Sequence, residues 1–397
     1  MTEIVSIIKH EVSQILDSNI DLNELEILEI IKNRVFEKSK EVYIKAEEKS
    51  HIVEQIYNSL KKLDVLQPYI EDPEISEIMI NGPESCFIEK NRGITKVNIN
   101  FEDNGKLEYI IQKIVSKVNR VVNEANPIVD ARLEDGSRVS VVMPPIALNG
   151  PILTIRKFAA KGMNIEQLIK MDTITEEAAR FLEKLVKARY NIFISGGTSS
   201  GKTTFLNALS DFIPKDERII TIEDSAELRI NGIDNIVKLE TRNKNVEGKG
   251  EITIKDLIRT SLRMRPDRVI VGEVRGAETL DMLQAMNTGH DGSLSTGHAN
   301  STRDALTRLE TMVLMGVEMP IVAIKQQISS AIDIIIHIAK LKDKSRRVLE
   351  ISEVKGFENG EIAINKLYAY NFDENGMGKL LKQGELIDDF KMRMNGE

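Results

Sequence analysis

The residues that most directly indicate chemistry form one short loop, GGTSSGKT, at positions 196–203. It matches the pattern G-x-x-x-x-G-K-[ST], which is typical of phosphate-binding loops. An apolar run precedes the loop and a helical pattern follows it, as this motif requires. Glycines let backbone N–H groups surround an anion, and the start of a helix adds a favourable dipole. The residues expected to bind nucleotide are Gly196, Gly197, Thr198, Ser199, Ser200, Gly201, Lys202, Thr203 and Thr204.

Lys202 and Thr203 have distinct expected roles in this loop. The lysine ammonium is expected to contact the β- and γ-phosphates of ATP, and the threonine hydroxyl to ligate Mg²⁺. A nucleotide hydrolase also needs a carboxylate near the attacking water or the metal, at the carboxyl edge of a parallel sheet. Glu273 follows the apolar run Val269–Val271 and is the first candidate for this catalytic carboxylate and for a metal contact. The alternative is a surface acid that caps a helix.

Further acids and histidines follow other apolar runs. Glu223, with Glu227 beyond it, again places acids at the end of a predicted strand, and both are candidate catalytic residues. The alternative is that they are solvated loop acids. The segment 288–300 is rich in glycine and small hydroxyl residues and contains His290 and His298. A histidine there is predicted to sense the γ-phosphate through a hydrogen bond, and the alternative is a turn histidine bonded to backbone.

Arginines form the last candidate set, because a guanidinium that contacts the transferred phosphoryl group stabilises its developing charge. Such arginines often come from another domain or subunit, although any single arginine is more often a surface ion pair. Two candidates precede the apolar run that leads to Glu273, and three lie much earlier in the chain. They are Arg263 and Arg265 for catalysis, and Arg132, Arg138 and Arg156 for nucleotide binding.

The elements that must position these residues begin with a helical segment, residues 1–66. Apolar residues recur at helical spacing in three stretches, with a break at 19–21, and predict a small helical bundle. The predicted buried face of the second helix consists of Leu25, Leu28, Ile31 and Val35. Such a charged amphipathic bundle is either purely structural or a docking module.

The rest of the chain shows two different sequence patterns, separated by a predicted linker. Residues 67–160 contain hairpin signals and one helical stretch, 107–123, and predict an α+β domain. A linker is predicted at 161–171. Residues 172–397 alternate helix and strand, which predicts a parallel sheet covered by helices and an overall α/β fold class. Hairpin turns are predicted at 91–93, 134–137 and 358–361.

Composition narrows the class of protein. With 62 acidic and 54 basic residues, the net charge is −8, which argues against a dedicated nucleic-acid binder. The single cysteine, Cys86, excludes an internal disulfide framework and a multi-cysteine zinc site. No signal-peptide pattern is visible at the N-terminus, and no apolar run approaches the ~20 residues that span a bilayer. We therefore expect a cytoplasmic protein that associates with a membrane only through partners.

In this order, the motifs resemble the secretion-superfamily traffic ATPases of type II and type IV secretion systems. The resemblance rests on the phosphate loop and on the segments 221–224, 265–276 and 288–300, and it covers about residues 67–345. Two further segments, 284–293 and 131–138, most resemble the CpaF-type ATPase of tight-adherence (Flp) pili. Related type II secretion and pilus-extension ATPases usually carry a four-cysteine metal insert, which this chain lacks. Gly297 replaces a residue that is usually bulkier in the family.

The resemblance implies a ring of six subunits, each with ATP bound between an α+β domain and a RecA-like domain. It also implies that Glu273 is the catalytic acid of the Walker B strand, and that Glu223 and His298 line the same site. The implied function is Mg²⁺-dependent ATP hydrolysis that drives assembly of a Flp or type IV-like pilus, or secretion, through an inner-membrane platform protein. Three alternatives stay open: a type IV secretion ATPase, a nucleic-acid motor, and a scaffold that binds ATP without hydrolysing it.

Overall fold

The computed structural model describes residues 2–18, 22–90, 93–99, 101, 103–117, 120–133, 135–157, 162–242, 244, 248–372 and 378–396. The chain divides into two compact units, Met1–Ala160 and Lys161–Glu397. Parts of the predicted turns and linker lie outside the described residues, namely 19–21, 91–92, 134 and 161. Among the helices that the structure describes, none has the length and apolar character needed to cross a membrane.

The first unit begins with the helices α1 (Thr2–Asp17), α2 (Glu24–Glu41) and α3 (Ala46–Lys61). Asn23 starts α2 with a capping box, in which side chain and backbone satisfy each other's hydrogen bonds. The buried face of α2 is formed by Ile27, Ile31 and Val35, whereas Leu25 is 78% exposed. The predicted face is therefore wrong at Leu25, because Ile27 continues the i, i+4, i+8 spacing that points into the bundle.

An antiparallel sheet follows the bundle. A 3-10 turn (Asp64–Leu66) and α4 (Gln67–Glu71) lead into β1 (Ile75–Asn81), β2 (Cys86–Lys90), β3 (Gly93–Val97), α5 (Asn104–Lys117), β4 (Ile128–Arg132), β5 (Arg138–Val142) and β6 (Ile152–Arg156). The described strands have the order β3-β2-β1-β6-β5-β4, and the two predicted hairpins are the β2–β3 and β4–β5 pairs. Leu63 and Leu66, from the end of the segment predicted as the bundle, pack into the core of this sheet.

Helix α5 covers the sheet but is shorter than the helix predicted at 107–123. The chain is no longer helical at 120–123, and the Arg120 backbone N–H donates to the carbonyl of Val115. Val122 is buried there while Val121 is half exposed. The apolar spacing continues beyond the helix because residues after its end also supply core side chains, so periodicity alone places the end too late.

The second unit contains a larger sheet with helices on both faces. Its elements are α6 (Ile165–Lys170), α7 (Glu176–Lys187), β7 (Ile192–Gly196), α8 (Lys202–Ser210), β8 (Ile219–Glu223), β9 (Ile236–Glu240), α9 (Ile254–Ser261), β10 (Arg268–Val274), α10 (Thr279–Asn287), β11 (Leu294–His298), α11 (Thr302–Leu314), α12 (Ile321–Ala331), β12 (Ile334–Lys340), β13 (Arg346–Glu358), β14 (Glu361–Phe372), β15 (Gly378–Lys382) and α13 (Phe390–Asn395). Their order in the described sheet is β15-β14-β13-β12-β7-β11-β10-β8-β9.

Strands β12, β7, β11, β10, β8 and β9 are parallel, and β13 to β15 continue the sheet antiparallel. Within β7, Ile192 and Ile194 face the core under α7 and α8, whereas Phe193 faces the core under α10 to α12. A strand buried on both faces reads as a continuous apolar run, which is why the sequence predicts this sheet well. The α/β fold class is confirmed.

Two local features refine the predicted organisation of the second unit. In the segment predicted as a linker, Asn164 caps helix α6, and Leu168 packs into the core of the second unit. This part of the segment therefore belongs structurally to the second unit. The predicted hairpin at 358–361 joins β13 to β14, and Asn359 and Gly360 both have positive φ angles, as a tight two-residue turn requires.

Candidate active site

The phosphate loop joins the end of β7 to the start of α8, at the carboxyl edge of the parallel strands. A Cβ atom at Gly196 would lie 2.3 Å from the carbonyl oxygen of Ile338, so the loop can start here only with glycine. Gly201 has φ +96° and Ser199 has φ +57°, both in the left-handed region. Residues 197–199 are exposed. The loop therefore presents its backbone and the amino end of α8 to solvent, as an anion site requires.

Lys202, the first residue of α8, is 7% exposed. Its Nζ donates to the carbonyls of Gly196 at 3.2 Å and Gly197 at 3.1 Å, and it lies 3.9 Å from Oε1 of Glu273. Burial lowers the pKa of the Lys202 ammonium, and the negative charge of Glu273 opposes this effect. Thr203 follows it in the first turn of α8 and is half-buried. The cation is thus held inside the loop, where phosphate oxygens would replace the carbonyls.

Glu273 lies within β10 and does not follow it, because this strand extends past Val271 to Val274. The ladder with β11 is irregular at this point. Oε2 of Glu273 accepts two hydrogen bonds from Arg275, at 2.9 Å from Nε and 2.6 Å from Nη2. Oε1 lies 2.9 Å from Nε2 of His298. Glu273 therefore connects Lys202, His298 and Arg275 beside the loop.

His298 is the last residue of β11, a strand that the sequence analysis did not identify. It pairs with Gly196 in the β7–β11 ladder, and its Nδ1 lies 3.4 Å from Nζ of Lys202. Burial and the charge of Lys202 lower the pKa of His298, which favours the neutral ring. A Cβ atom at Gly297 would lie 2.6 Å from the ring of Phe193, so this aromatic ring fills the space of the usual bulkier residue.

The two histidines of the segment 288–300 lie at different ends of β11. Nδ1 of His290 lies 3.3 Å from the carbonyl oxygen of Ala285, in the turn before the strand begins. A parallel strand places its two ends at opposite edges of the sheet, so only His298 reaches the phosphate loop. The structure therefore places His298 beside the phosphate loop, whereas His290 lies in a turn next to a backbone carbonyl.

Glu223 ends β8 and is 3% exposed, beside the strand that carries Glu273. Its Oε1 accepts hydrogen bonds from the backbone N–H groups of Glu227, at 2.7 Å, and Leu228, at 2.9 Å. A Cβ atom at Gly272 would lie 2.9 Å from Cγ of Glu223, which explains the glycine before Glu273. Glu223 thus holds the loop that carries Glu227.

Arg263 and Arg265 lie before the amino end of β10, at the edge of the sheet opposite the phosphate loop. The Arg263 guanidinium donates to the carbonyl of Arg259, and Arg265 has φ +54°. From Arg268 to Glu273 the strand spans about 17 Å at its usual rise per residue. The structure therefore does not bring these two arginines to the phosphate loop of their own chain.

The three arginines of the first unit lie in one row across its sheet. Arg132 is paired with Arg138, and Arg138 with Arg156, in the β4–β5 and β5–β6 ladders. Directly opposed residues share one face of a sheet, and this face is opposite to that of buried Val139. Arg132 also donates to the carbonyl of Gly136. The strand register therefore brings three arginines together on one face of this sheet.

Two arginines near the loop were missed in the sequence analysis. The first is Arg275, two residues after Glu273 and so on the same face of the strand, a spacing that was visible in the sequence. Partial burial lowers its pKa, but hydrogen bonds and charge from Glu273, with Asp224 and Glu227, outweigh this and raise it. The second is Arg346, whose Nε donates to the Ser199 carbonyl at 3.0 Å. The sequence carries no signal for that contact, because 147 positions separate the two residues.

The oxygen donors near the loop fit a magnesium ion better than a softer metal. Within the described ranges there is no group of three or more His, Cys, Asp or Glu side chains that could hold a metal by itself. Mg²⁺ is commonly bound by one or two protein oxygens together with substrate phosphates and water. The Thr203 hydroxyl and the Glu273 carboxylate are donors of this kind.

A phosphate loop at the carboxyl edge of a buried parallel sheet, with an acid on a neighbouring strand, defines a P-loop nucleotide-binding protein. The family model described as Type II/IV secretion system protein matches residues 59–374. The chain belongs to this family, and the resemblance stated from its motifs is confirmed at that level. The closeness to the tight-adherence branch stays a prediction.

Individual relatives agree with this family. A putative conjugal transfer protein of Mycobacterium tuberculosis is 33% identical over 311 residues, which is 77% of this chain and 88% of that protein. The conjugal transfer protein TrbB of Rhizobium radiobacter is 32% identical over 78% of this chain and 92% of its own length. The crystal structure of the pilus retraction motor PilT with bound ADP covers 84% of this chain and 87% of its own, with a TM-score of 0.54 and 19% identity. That last match supports the fold alone.

Proposed function

We propose that this protein is a Mg²⁺-dependent ATPase whose hydrolysis drives a pilus-assembly or secretion machine. The observation that carries the proposal is the convergence of Lys202, Glu273 and His298 at the phosphate loop, although they lie on three separate elements. A phosphate-binding cation, a carboxylate for water and a neutral histidine are the groups that phosphoryl transfer to water requires. A scaffold that only bound ATP would not need the carboxylate.

Each residue has one role in this proposal. The Lys202 ammonium leaves the loop carbonyls and binds the β- and γ-phosphates, where it stabilises developing charge. Thr203 and Glu273 would hold Mg²⁺, which supplies further charge neutralisation. Glu273 orients the attacking water, and the neutral His298 ring donates a hydrogen bond near the γ-phosphate. Glu223 positions the loop of Glu227 and is the alternative base.

Two groups of arginines that are not part of the phosphate loop also have roles in the proposal. The row Arg132, Arg138 and Arg156 has the charge and spacing to contact a polyphosphate, and we assign it to nucleotide binding. Arg263 and Arg265 are remote from the loop of their own chain, so a catalytic role requires another subunit. The proposed active form is accordingly a homo-hexameric ring.

Two processes are candidates for the work that ATP hydrolysis drives, namely pilus assembly and type IV secretion. The segments 284–293 and 131–138 favour a Flp-type pilus, whereas the relatives named as conjugal transfer proteins favour type IV secretion. In either case the ring would work in the cytoplasm, on an inner-membrane platform protein, without a nucleic-acid substrate. Replacing Glu273 by Gln in the source organism and scoring surface pili, protein secretion and DNA transfer separates these outcomes.

Purified protein tests the enzymatic proposal directly. Phosphate release from ATP should depend on Mg²⁺ and stop on chelation. Lys202→Ala should lower kcat/KM by roughly 10²-fold or more, because removal of one preorganised charge contact costs about that much. Lys187→Ala, a change on the exposed end of α7, is the matched control and should hydrolyse ATP like the parent. Equal rates for Lys202→Ala and the parent would refute the assignment.

A further inference from the structure

Arg346 is the first residue of β13 and contacts the phosphate loop from outside it. Its Nε donates a hydrogen bond to the carbonyl of Ser199 at 3.0 Å. A Cβ atom at Gly201 would lie 3.2 Å from Cδ of Arg346, so the arginine stem also packs against the loop. We infer that Arg346 is a positioning residue that holds the phosphate loop in the conformation that binds phosphate. The inference rests on the proposed function and deepens it.

The backbone conformation at these two contacts needs support from the rest of the protein. Ser199 has φ +57° and Gly201 has φ +96°. The left-handed region is costly for a residue with a side chain, which keeps it only where the surrounding structure holds it there. Residues 197–199 are exposed, so packing supplies little of this support. The hydrogen bond from Arg346 fixes the planar peptide unit after Ser199, and with it the path of the backbone into α8.

Lys202 and Arg346 bind different carbonyl groups of this loop. Lys202 donates to the carbonyls of Gly196 and Gly197, and Arg346 donates to that of Ser199. Under the proposed function, Lys202 leaves these carbonyls for the phosphates when nucleotide binds. Arg346 belongs to a separate strand, and its hydrogen bond does not have to break for this movement. We therefore expect Arg346 to hold the loop both before and after nucleotide enters.

The turn between β12 and β13 fixes the direction of Arg346. The Asp343 carboxylate accepts hydrogen bonds from the backbone N–H of Ser345, at 2.9 Å, and from its hydroxyl, at 2.7 Å. The backbone N–H of Leu341 donates to the carbonyl of Ser345 at 2.8 Å. Arg346 follows directly and pairs with Lys340 in the β12–β13 ladder. The arginine is therefore presented to the loop by a closed, hydrogen-bonded hairpin.

The next residue, Arg347, offers a direct comparison. Successive side chains of a strand point to opposite faces of the sheet. The Arg347 guanidinium accordingly donates to a different carbonyl, that of Met171 in the α6–α7 connection. Two adjacent arginines thus each bind a backbone carbonyl, one inside the phosphate loop and one outside it.

Three substitutions of Arg346 separate a positioning role from a direct charge contact with phosphate. Arg346→Ala should weaken binding of ATP and of inorganic tripolyphosphate by roughly 5-fold or more, as expected for loss of a hydrogen bond from a charged donor. Arg346→Gln places a neutral N–H donor at the position of Nε and should restore the affinity of the parent. Arg346→Lys keeps the charge without a donor at that position and should resemble the Ala variant.

Steady-state hydrolysis provides a second readout. Arg346→Ala should raise KM for ATP and leave kcat within about 2-fold of the parent, because support given equally to ground state and transition state changes KM alone. Arg347→Ala is the matched control, since it loses a similar hydrogen bond outside the loop, and it should bind both ligands like the parent.

The inference is overturned if Arg346→Ala binds both ligands like the parent, if Lys restores affinity where Gln does not, or if kcat falls while KM stays unchanged. Failure of the proposed function gives a different result. The parent would then bind ATP without releasing phosphate, and the affinities of the Ala, Gln and Lys variants would still decide the role of Arg346.

Discussion

At the scale of single residues, the most informative feature is the number of cationic or hydrogen-bonding groups around one carboxylate. Oε2 of Glu273 accepts two hydrogen bonds from Arg275, whereas Oε1 lies near His298 and Lys202 but is buried and accepts no hydrogen bond. A buried carboxylate oxygen without a donor is an unsatisfied acceptor. Under the proposed function, this oxygen is the one that would accept a hydrogen bond from the attacking water.

Glu273→Gln tests whether this carboxylate acts in chemistry or in binding. The amide keeps the shape and most hydrogen-bonding capacity but removes the charge that orients or deprotonates water. We expect nucleotide affinity to survive while kcat falls by roughly 10²-fold or more. The measurement is ATP affinity together with single-turnover hydrolysis in the same variant. Parent-like hydrolysis would move the base to Glu223, and loss of binding would make Glu273 mainly a metal ligand.

Arg275 is predicted to position Glu273. Arg275→Gln removes two hydrogen bonds that fix the carboxylate, so we expect kcat to fall about 10-fold, a part of what a positioned base contributes. KM should change little. Arg275→Lys keeps the charge but loses the planar fork, and should resemble the Gln variant. Arg259→Gln is a matched control, because Arg259 pairs with Asp281 between α9 and α10 and does not contact Glu273. Unchanged kcat, or a change confined to KM, would contradict this role.

The sequence predicts those residues of the candidate site whose proposed role follows from a short local motif. Lys202 and Thr203 are specified by a loop of eight residues, and Glu273 by an apolar run that ends in an acid. His298 was found only as one of two candidates, because choosing between them requires knowing where β11 begins and ends. Arg346 was missed because strand register, which brings it to Ser199, is not encoded in any short segment.

At the scale of elements, the strands that carry the loop are joined by a buried polar row. Ser195 of β7 pairs with His337 of β12, and His337 pairs with Glu350 of β13. Ser195 Oγ lies 3.0 Å from Nδ1 of His337, directly before the phosphate loop. Burial lowers the pKa of His337, although Glu350 and Asp304 oppose the shift. The neutral ring therefore helps to join the parallel half of the sheet to the antiparallel half.

Protonation of His337 makes the free energy of unfolding dependent on pH. Because the folded-state pKa of His337 is below its unfolded value of about 6.5, the unfolded chain binds more protons as pH falls below that value. The stability that the neutral His337 ring contributes to the folded protein is fully present above about pH 6.5. It is lost on acidification, by at most ~1.4 kcal/mol per pH unit. His337→Asn should lose this dependence. Thermal unfolding of parent and variant should therefore show a stability difference that shrinks from pH 7.5 to 5.5.

His51→Asn provides the control for that experiment, because His51 is an exposed histidine of α3. Its unfolding curve should follow that of the parent at each pH. If the difference in stability between the parent and His337→Asn is the same at every pH, the pKa of His337 is not lowered by folding, and the inference is wrong.

The sequence predicts buried strands better than it predicts the faces and ends of helices. The buried strands β7 and β8 were predicted closely because a strand covered on both faces must be apolar throughout. The face of α2 was wrong at Leu25, since two overlapping apolar stripes fit the segment and only the packing of the bundle selects Ile27. The end of α5 was placed too late for a similar reason, because Val122 reaches the core from outside the helix.

At the scale of the whole molecule, the candidate arginines form three groups in different parts of the chain. Arg275 belongs to the site, Arg263 and Arg265 lie at the opposite edge of the same sheet, and the row at Arg132, Arg138 and Arg156 belongs to the other compact unit. Guanidinium groups are effective in phosphoryl transfer only in contact with the phosphates. If Arg263 and Arg265 are catalytic, a neighbouring subunit must supply them, which favours a closed ring in which every site is completed by the next chain.

We therefore expect nucleotide to promote a discrete ring of six chains, of six times 44.7 kDa. A non-hydrolysable ATP analogue that contacts groups from two subunits adds binding energy to the assembled state and shifts the equilibrium towards it. Sedimentation velocity at micromolar concentration, with and without the analogue, measures this shift. Lys202→Ala, which should not bind the analogue tightly, should keep the distribution seen without nucleotide, whereas Glu273→Gln with ATP should accumulate the ring because it binds without turnover. A protein that sediments as a monomer under all these conditions and still hydrolyses ATP at its full rate would exclude the ring as the active form and leave Arg263 and Arg265 without a catalytic role.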